Sequence, residues 1–154
     1  MGLTGDLAAF YALVAPHLDK MSRVAARLGG PENRDDVIQD ALLSAWQHRD
    51  QFDPERGSLS AWLVAITAHR ATTVRRKVVR RLTAPSPNDA NDIETRLDLA
   101  DAMRSLTPRE RLAIDCYYFA GLSVSESARV MGCSDGTVKS TLATARDRLR
   151  AQVR

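Results

Sequence analysis

Apolar residues recur at three- and four-residue steps through the first thirty positions: Leu7, Phe10, Tyr11, Val14, Leu18, Met21, Ala25 and Leu28. That period predicts an amphipathic helix, ended by Gly29, Gly30 and Pro31 and open to a kink at Pro16. A second helix is predicted from about Asn33 to His48, with Ile38, Ala41, Leu42, Ala45 and Trp46 on one face. Acidic residues crowd its first turn, where the helix dipole favours them. The stretch Phe52–Ser58 turns the chain. A third helix starts near Ser58 or Ser60, buries Leu59, Trp62, Leu63 and Ile66, and runs into a basic segment ending near Arg81.

The periodicity then stops. LTAPSPNDAND (82–92) is rich in Pro, Asn and Asp and reads as a linker. Beyond it, Ile93, Leu97, Ala100 and Met103 predict a short helix. Thr107, Pro108 and Glu110 predict a capped helix start, with Thr as N-cap, Pro at the first helical position and Glu closing a capping box. That helix is expected to bury Leu112, Ala113, Cys116 and Tyr117, with Gly121 capping its end. Ser123 and Glu126 repeat the box for a helix closed by Gly132, and Ser134 caps a last helix with an inward stripe of Val138, Leu142, Ala145 and Leu149. The expected fold is all-α: two small helical modules, 1–81 and 97–154, joined by a flexible linker over 82–96. Tyr11, Phe10, Trp46 and Trp62 are expected in the core.

Composition narrows the function. The chain has 154 residues, 44% hydrophobic and 27% charged, so it is an ordinary globular sequence. No run of about eighteen apolar residues appears, and the N-terminus lacks the basic start of a signal peptide. Cys116 and Cys133 have no CxxC partner, and His17, His48 and His69 share no ligand spacing, so no metal or cofactor is expected. No nucleophile triad or glycine-rich phosphate loop is present, so no enzymatic activity is expected. A cytoplasmic protein is the expectation.

The net charge of +3 is less informative than its distribution. Glu32, Asp35, Asp36 and Asp40 cluster against one Arg34, whereas Arg70, Arg75, Arg76, Lys77, Arg80 and Arg81 form a run without any acid. Six cations in twelve residues exceed what a helix C-terminus needs, and suit phosphates. Gly121–Arg150 has the spacing of a helix-turn-helix, whose second helix enters the major groove. Its exposed start would comprise Ser134, Asp135, Gly136, Thr137, Lys139 and Ser140. By spacing alone a plain helical hairpin remains open. Phe52, in its loop, is placed either to staple the next helix or to stack on a base.

These residues resemble a known family. DDVIQDALLSAW (35–46) and FDPERGSLSAWL (52–63) are similar to conserved region two of bacterial sigma factors. LTPRER (106–111) and GTVKSTLATARDRL (136–149) are similar to region four. Two modules lacking regions one and three resemble the small extracytoplasmic-function (ECF) group. The resemblance implies that Asp36, Gln39 and Asp40 dock on the β′ clamp of RNA polymerase core. It implies that Phe52–Ser58, Trp62, Arg70, Arg75, Arg76, Lys77 and Arg80 read the minus-ten promoter element and hold a flipped base of the opening strand. It implies that the second module docks on the β flap and puts Ser134–Ser140 and Arg146 into the minus-thirty-five element. An anti-sigma protein is implied as a further partner. His69 to Thr73 stand where the family often carries a polar Asn or Asp, so an unusual minus-ten preference is expected; Thr141 and Thr144 stand where it often carries arginines, so weak upstream binding is expected. The competing reading is a self-sufficient helix-turn-helix regulator whose N-terminal helices dimerise or sense a ligand.

Overall fold

The computed structural model describes residues 5–81 and 100–152, with the side chains of 78–81 outside it. Ile93, Leu97, the expected linker and the Arg80 side chain therefore lie outside the described residues.

Helix α1 (Leu7–Val14) starts at Asp6, whose carboxylate accepts the Ala9 N–H at 2.9 Å. Pro16 sits in a tight 3₁₀ turn, Ala15–His17, because it lacks an amide hydrogen to continue the α pattern. Helix α2 (Leu18–Gly29) follows, and Gly30, at φ +94°, turns the chain into α3 (Arg34–Gln47). The Ser58 hydroxyl accepts the Ala61 N–H at 3.0 Å at the start of α4 (Leu59–Arg81). Residues 100–104 are helical. Both expected capping boxes are present: Thr107 with Glu110 opens α5 (Pro108–Ile114), and Ser123 with Glu126 opens α6 (Val124–Met131). Gly132, left-handed at φ +67°, reverses the chain into α7 (Asp135–Gln152).

Three apolar clusters hold these helices. Phe10, Val14, Met21, Ala41, Ala45, Trp62 and Leu63 form the first, where the Phe10 ring meets Trp46 edge-on at 5.3 Å. Met103, Leu106, Ala113, Ile114, Ala128, Val138, Leu142 and Ala145 form another, between α5, α6 and α7. The third joins the two halves of the sequence. Val24, Ala25 and Leu28 of α2 and Val64, Ala68 and Ala71 of α4 pack with Cys116, Ala120 and Leu122. A β-carbon on Gly29 would sit 3.3 Å from Ala71 and Val37, so glycine lets α2 lie close against α4.

Two expectations of burial are corrected. Leu7 and Tyr11 are 55% and 51% exposed, because the 3₁₀ turn at Pro16 interrupts the stripe and the two-turn α1 buries only Phe10 and Val14. Tyr117 is exposed as well, together with Tyr118 and Phe119. Here Asp115–Phe119 widens into a π turn, which shifts the register so that Cys116 and Ala120 face inward and the three aromatics face out. Gly121, at φ +72°, ends that turn rather than α5 itself.

Candidate functional site

Asp36, Gln39 and Asp40 lie at helical steps on α3, opposite buried Val37, Ala41 and Ala45. All three are exposed, and neither aspartate has an ion pair among the described residues; the nearby Asp35 takes Arg34 at 3.3 Å. Leu43, 55% exposed, lies one turn on from Asp40. An exposed leucine beside unpaired acids suits a protein partner carrying basic and apolar groups. Leu43 falls outside the expected apolar face of Ile38, Ala41, Leu42, Ala45 and Trp46, the signal by which the sequence could have marked it as exposed.

The turn after α3 is built from its own side chains. Asp53 accepts the Glu55 N–H at 3.0 Å, and Arg56 leans on Asp53 at 3.7 Å. Phe52 is half-buried against Trp62, ring centroids 5.4 Å apart. Trp62 is only 9% exposed and belongs to the first core cluster. The indole packs against Phe52 and among the residues of that cluster, so Trp62 stands at the base of the loop, as expected, and supports it from beneath. Along α4, Arg70, Arg75, Arg76 and Lys77 are exposed, with no ion pair among the described residues. Thr72 and Thr73 return their hydroxyls to the backbone carbonyls one turn back, at 2.9–3.0 Å.

In the second module, Ser134, Asp135, Gly136, Lys139 and Ser140 are exposed at the start of α7 and Thr137 is half-buried. Ser134 accepts the Thr137 N–H at 3.2 Å, capping the helix. Asp135 accepts the Ser125 hydroxyl at 3.1 Å, tying α7 to α6. Thr141 and Thr144 bond back to the carbonyls of Thr137 and Ser140. Arg146 donates to the Tyr118 hydroxyl at 3.2 Å, so the π turn and the last helix share a polar contact.

The three surfaces are thus open, but a fourth set of polar groups was not foreseen. Lys20, Arg23 and Arg27 of α2 reach across to the second half of the chain. Lys20 donates to both Glu126 oxygens at 3.0 and 3.1 Å, Arg23 to the Ala120 carbonyl at 3.3 Å, and Arg27 to Asp115 through Nε at 2.7 Å and Nη2 at 2.6 Å. Burial raises the Asp115 pKa, more than the neighbouring Arg27 charge and hydrogen bond, with Arg75 and Arg111, lower it. Burial also acts upward on Glu126, but hydrogen bonds from the Ser123 backbone, Lys20 and Ser60 outweigh it and hold the carboxyl below its ordinary value. The Cys116 thiol is pushed up to about 12 by burial and by the adjacent Asp115 charge, so it is no nucleophile.

The sequence matches two family models in order: Sigma-70 region 2 over residues 13–82, and Sigma-70, region 4 over residues 96–149. Among curated relatives, the RNA polymerase sigma factor NccH of Alcaligenes xylosoxydans xylosoxydans is 32% identical, with 96% of this chain and 88% of the relative covered. The ECF RNA polymerase sigma factor SigL of Mycobacterium tuberculosis is 31% identical over 89% of this chain and 84% of its own length. This chain belongs to the ECF sigma factors. Two solved structures share the fold of this sigma factor. RpoE of Bartonella quintana, solved with the anti-sigma factor NepR, superposes at a TM-score of 0.67 with 26% identity, covering 96% of this chain and 98% of the other. CnrH, solved with the cytosolic domain of CnrY, gives 0.68 with 30% identity over 96% and 88%. The reading as a self-sufficient regulator is not favoured, since region 2 occupies the segment that reading would need for dimerisation or sensing.

Proposed function

We propose that this ECF sigma factor binds RNA polymerase core through the acidic face of α3 and directs promoter-specific initiation through α4, the loop before it and α7. One observation carries the reading: Asp36 and Asp40 on one helix and Arg70, Arg75, Arg76 and Lys77 on another are exposed, with no internal ion pair among the described residues. Carboxylates and guanidinium groups left unpaired on separate surfaces serve two partners of opposite charge. Asp36, Gln39 and Asp40 meet the β′ clamp, with Leu43 supplying an apolar contact. The loop Phe52–Ser58, steadied by Trp62, holds a base of the opening strand, and the α4 cations, Arg80 included, follow its phosphates.

Ser134, Asp135, Gly136, Thr137, Lys139, Ser140 and Arg146 form the upstream reading surface, with the second module seated on the β flap. In this reading residues 1–81 and 97–154 are the two working modules, and 82–96 joins them. The factor has no catalysis of its own. It acts in the cytoplasm, where core and promoter are; among the described residues no helix is long and apolar enough to cross a membrane. An anti-sigma protein is a further proposed partner, since RpoE was solved with the anti-sigma factor NepR bound. Run-off transcription on fragmented genomic DNA tests the reading: core with this factor yields discrete transcripts that core alone does not. Identical transcript patterns with and without the factor would overturn it.

A further inference from the structure

Two cavities of about 630 and 470 Å³ lie beside α2, and both are lined by Arg27, Arg75 and Phe119, which makes them lobes of one cleft. That volume suits a small organic ligand. Arg23 extends one lobe, and Arg104 and Arg111 extend the other, so five arginines face a single hollow. The carboxylates lining it among the described residues are Glu32 and Asp115. Arg27 already pairs with Asp115, and Arg104 holds Asp101 at 3.2 Å on the exposed rim. That leaves Arg23, Arg75 and Arg111 opposed by Glu32 alone.

The three surplus cations are held in place without being neutralised. Arg23 gives Nε to the Ala120 carbonyl at 3.3 Å. Arg111 gives Nε to the Met103 carbonyl at 3.3 Å and Nη2 to the Leu106 carbonyl at 3.5 Å, which fixes its plane and leaves Nη1 without a partner among the described residues. Arg75 is exposed, with no ion pair among the described residues. Carbonyls carry no net charge, so the guanidinium groups still repel one another, and an anion relieves that repulsion.

The lobes differ in chemistry. In the one with Arg75, Arg104 and Arg111 the carboxylate is already paired, so it suits a chain of phosphates. The other holds Glu32 and Asn33. Asn33 gives Nδ2 to the Gly29 carbonyl at 2.9 Å, so its Oδ1 is left to accept. The Glu32 carboxylate folds over Gly30, where a β-carbon would lie 2.9 Å from Oε1. Both oxygens suit the hydroxyls of a sugar or the amino group of a base. Phe119 stands between the lobes, 42% exposed, with the Arg27 guanidinium 3.7 Å from its ring centroid. An exposed ring beside a flat guanidinium is a stacking platform for a base.

We propose that this cleft binds a nucleoside polyphosphate, with its phosphates among Arg75, Arg104 and Arg111 and its base on Phe119. The site does not rest on the promoter-reading role proposed above. Arg75 is assigned to both, so the test leaves it unchanged.

Calorimetric titration of the full chain with ATP, GTP, adenosine and inorganic triphosphate reads the two ends of the ligand separately. ATP or GTP is expected to bind in one equivalent, with inorganic triphosphate about ten-fold weaker because it has no base to stack. Adenosine is expected to bind about a hundred-fold more weakly than ATP, because it brings no charge to the arginines. Phe119→Ala is expected to weaken ATP about ten-fold and leave inorganic triphosphate unchanged. Arg104→Glu is expected to weaken both about ten-fold. Both side chains are exposed, and circular dichroism checks that helix content is retained. Failure of ATP and GTP to bind, or equal binding by wild type and both folded variants, would overturn the site. Inorganic triphosphate binding as tightly as ATP would overturn the nucleotide assignment. So would a single-stranded oligonucleotide that loses more affinity than ATP in both variants, since the cleft would then serve a strand.

Discussion

Glu126 shows how one side chain serves two levels of structure. Its carboxylate closes the capping box of α6 by accepting the Ser123 N–H at 3.1 Å, and the same oxygens receive Lys20 and Ser60 from the first module. The capping box was legible in the sequence because Ser and Glu stand three apart before an apolar run. The cross-module role was not, because nothing local marks which cation a capping glutamate will find. Its depressed pKa, held down first by the Ser123 backbone of the capping box and then by Lys20 and Ser60, gives the cap and the contact together a pH dependence. Glu126 contributes fully above the ordinary glutamate value of 4.5, and that contribution is lost as pH falls through the depressed value. Asp115 has the opposite sign: its raised pKa means the folded form binds the proton more tightly, so its contribution grows as pH falls toward 3.8. Lys20 and Ser60 face Glu126, with Arg56, Arg129 and Asp135 lining the same cleft. Because Asp115 titrates in both proteins, the difference between them isolates Glu126: in scattering from pH 7 down to 3, wild type is expected to start more compact than Glu126→Gln and to lose that advantage below pH 4.5. Superimposable profiles would show that this carboxylate is not part of the contact.

Helices were the most legible elements. Apolar periodicity and paired N-caps located α3, α4, α6 and α7 close to their observed bounds, since both signals are local. The errors arose where helical geometry changes within a run: the 3₁₀ turn at Pro16 exposes Tyr11, and the π turn at Asp115–Phe119 exposes three aromatics. A fixed period cannot register either change. The reading helices also differ in charge. The exposed start of α7 carries Lys139 as its one cation, balanced by Asp135, whereas the described part of α4 presents Arg70, Arg75, Arg76 and Lys77. Phosphate neutralisation therefore falls mainly on α4. In filter binding of the complex with core to promoter DNA, Lys139→Ala is expected to lower the slope of log affinity against log salt by about 1, and Arg75→Ala with Arg76→Ala by about 2. Equal slopes for all three proteins would place the phosphate contacts elsewhere.

At the scale of the whole molecule, charge separation was readable from the sequence and the packing of its two halves on each other was not. The acidic and basic segments are contiguous in sequence, so their opposition needs no tertiary knowledge. The stripe Lys20, Arg23 and Arg27 looks in sequence like any solvated helix face, and its acidic partners stand 88 to 106 residues away. The shared cluster of Val24, Ala25, Leu28, Cys116, Ala120 and Leu122 was hidden for the same reason: each half supplies an apolar face that a separate module would also bury.

The division of labour between the two charged surfaces is tested most directly by two double variants in one transcription assay with purified core. Asp36→Arg with Asp40→Arg is expected to abolish co-purification with core and all initiation, with unchanged helix content. Arg75→Glu with Arg76→Glu is expected to keep core binding and lose open-complex formation, read as permanganate reactivity of unpaired thymines. Core binding surviving reversal of the acids, or strand opening surviving reversal of the arginines, would contradict the account.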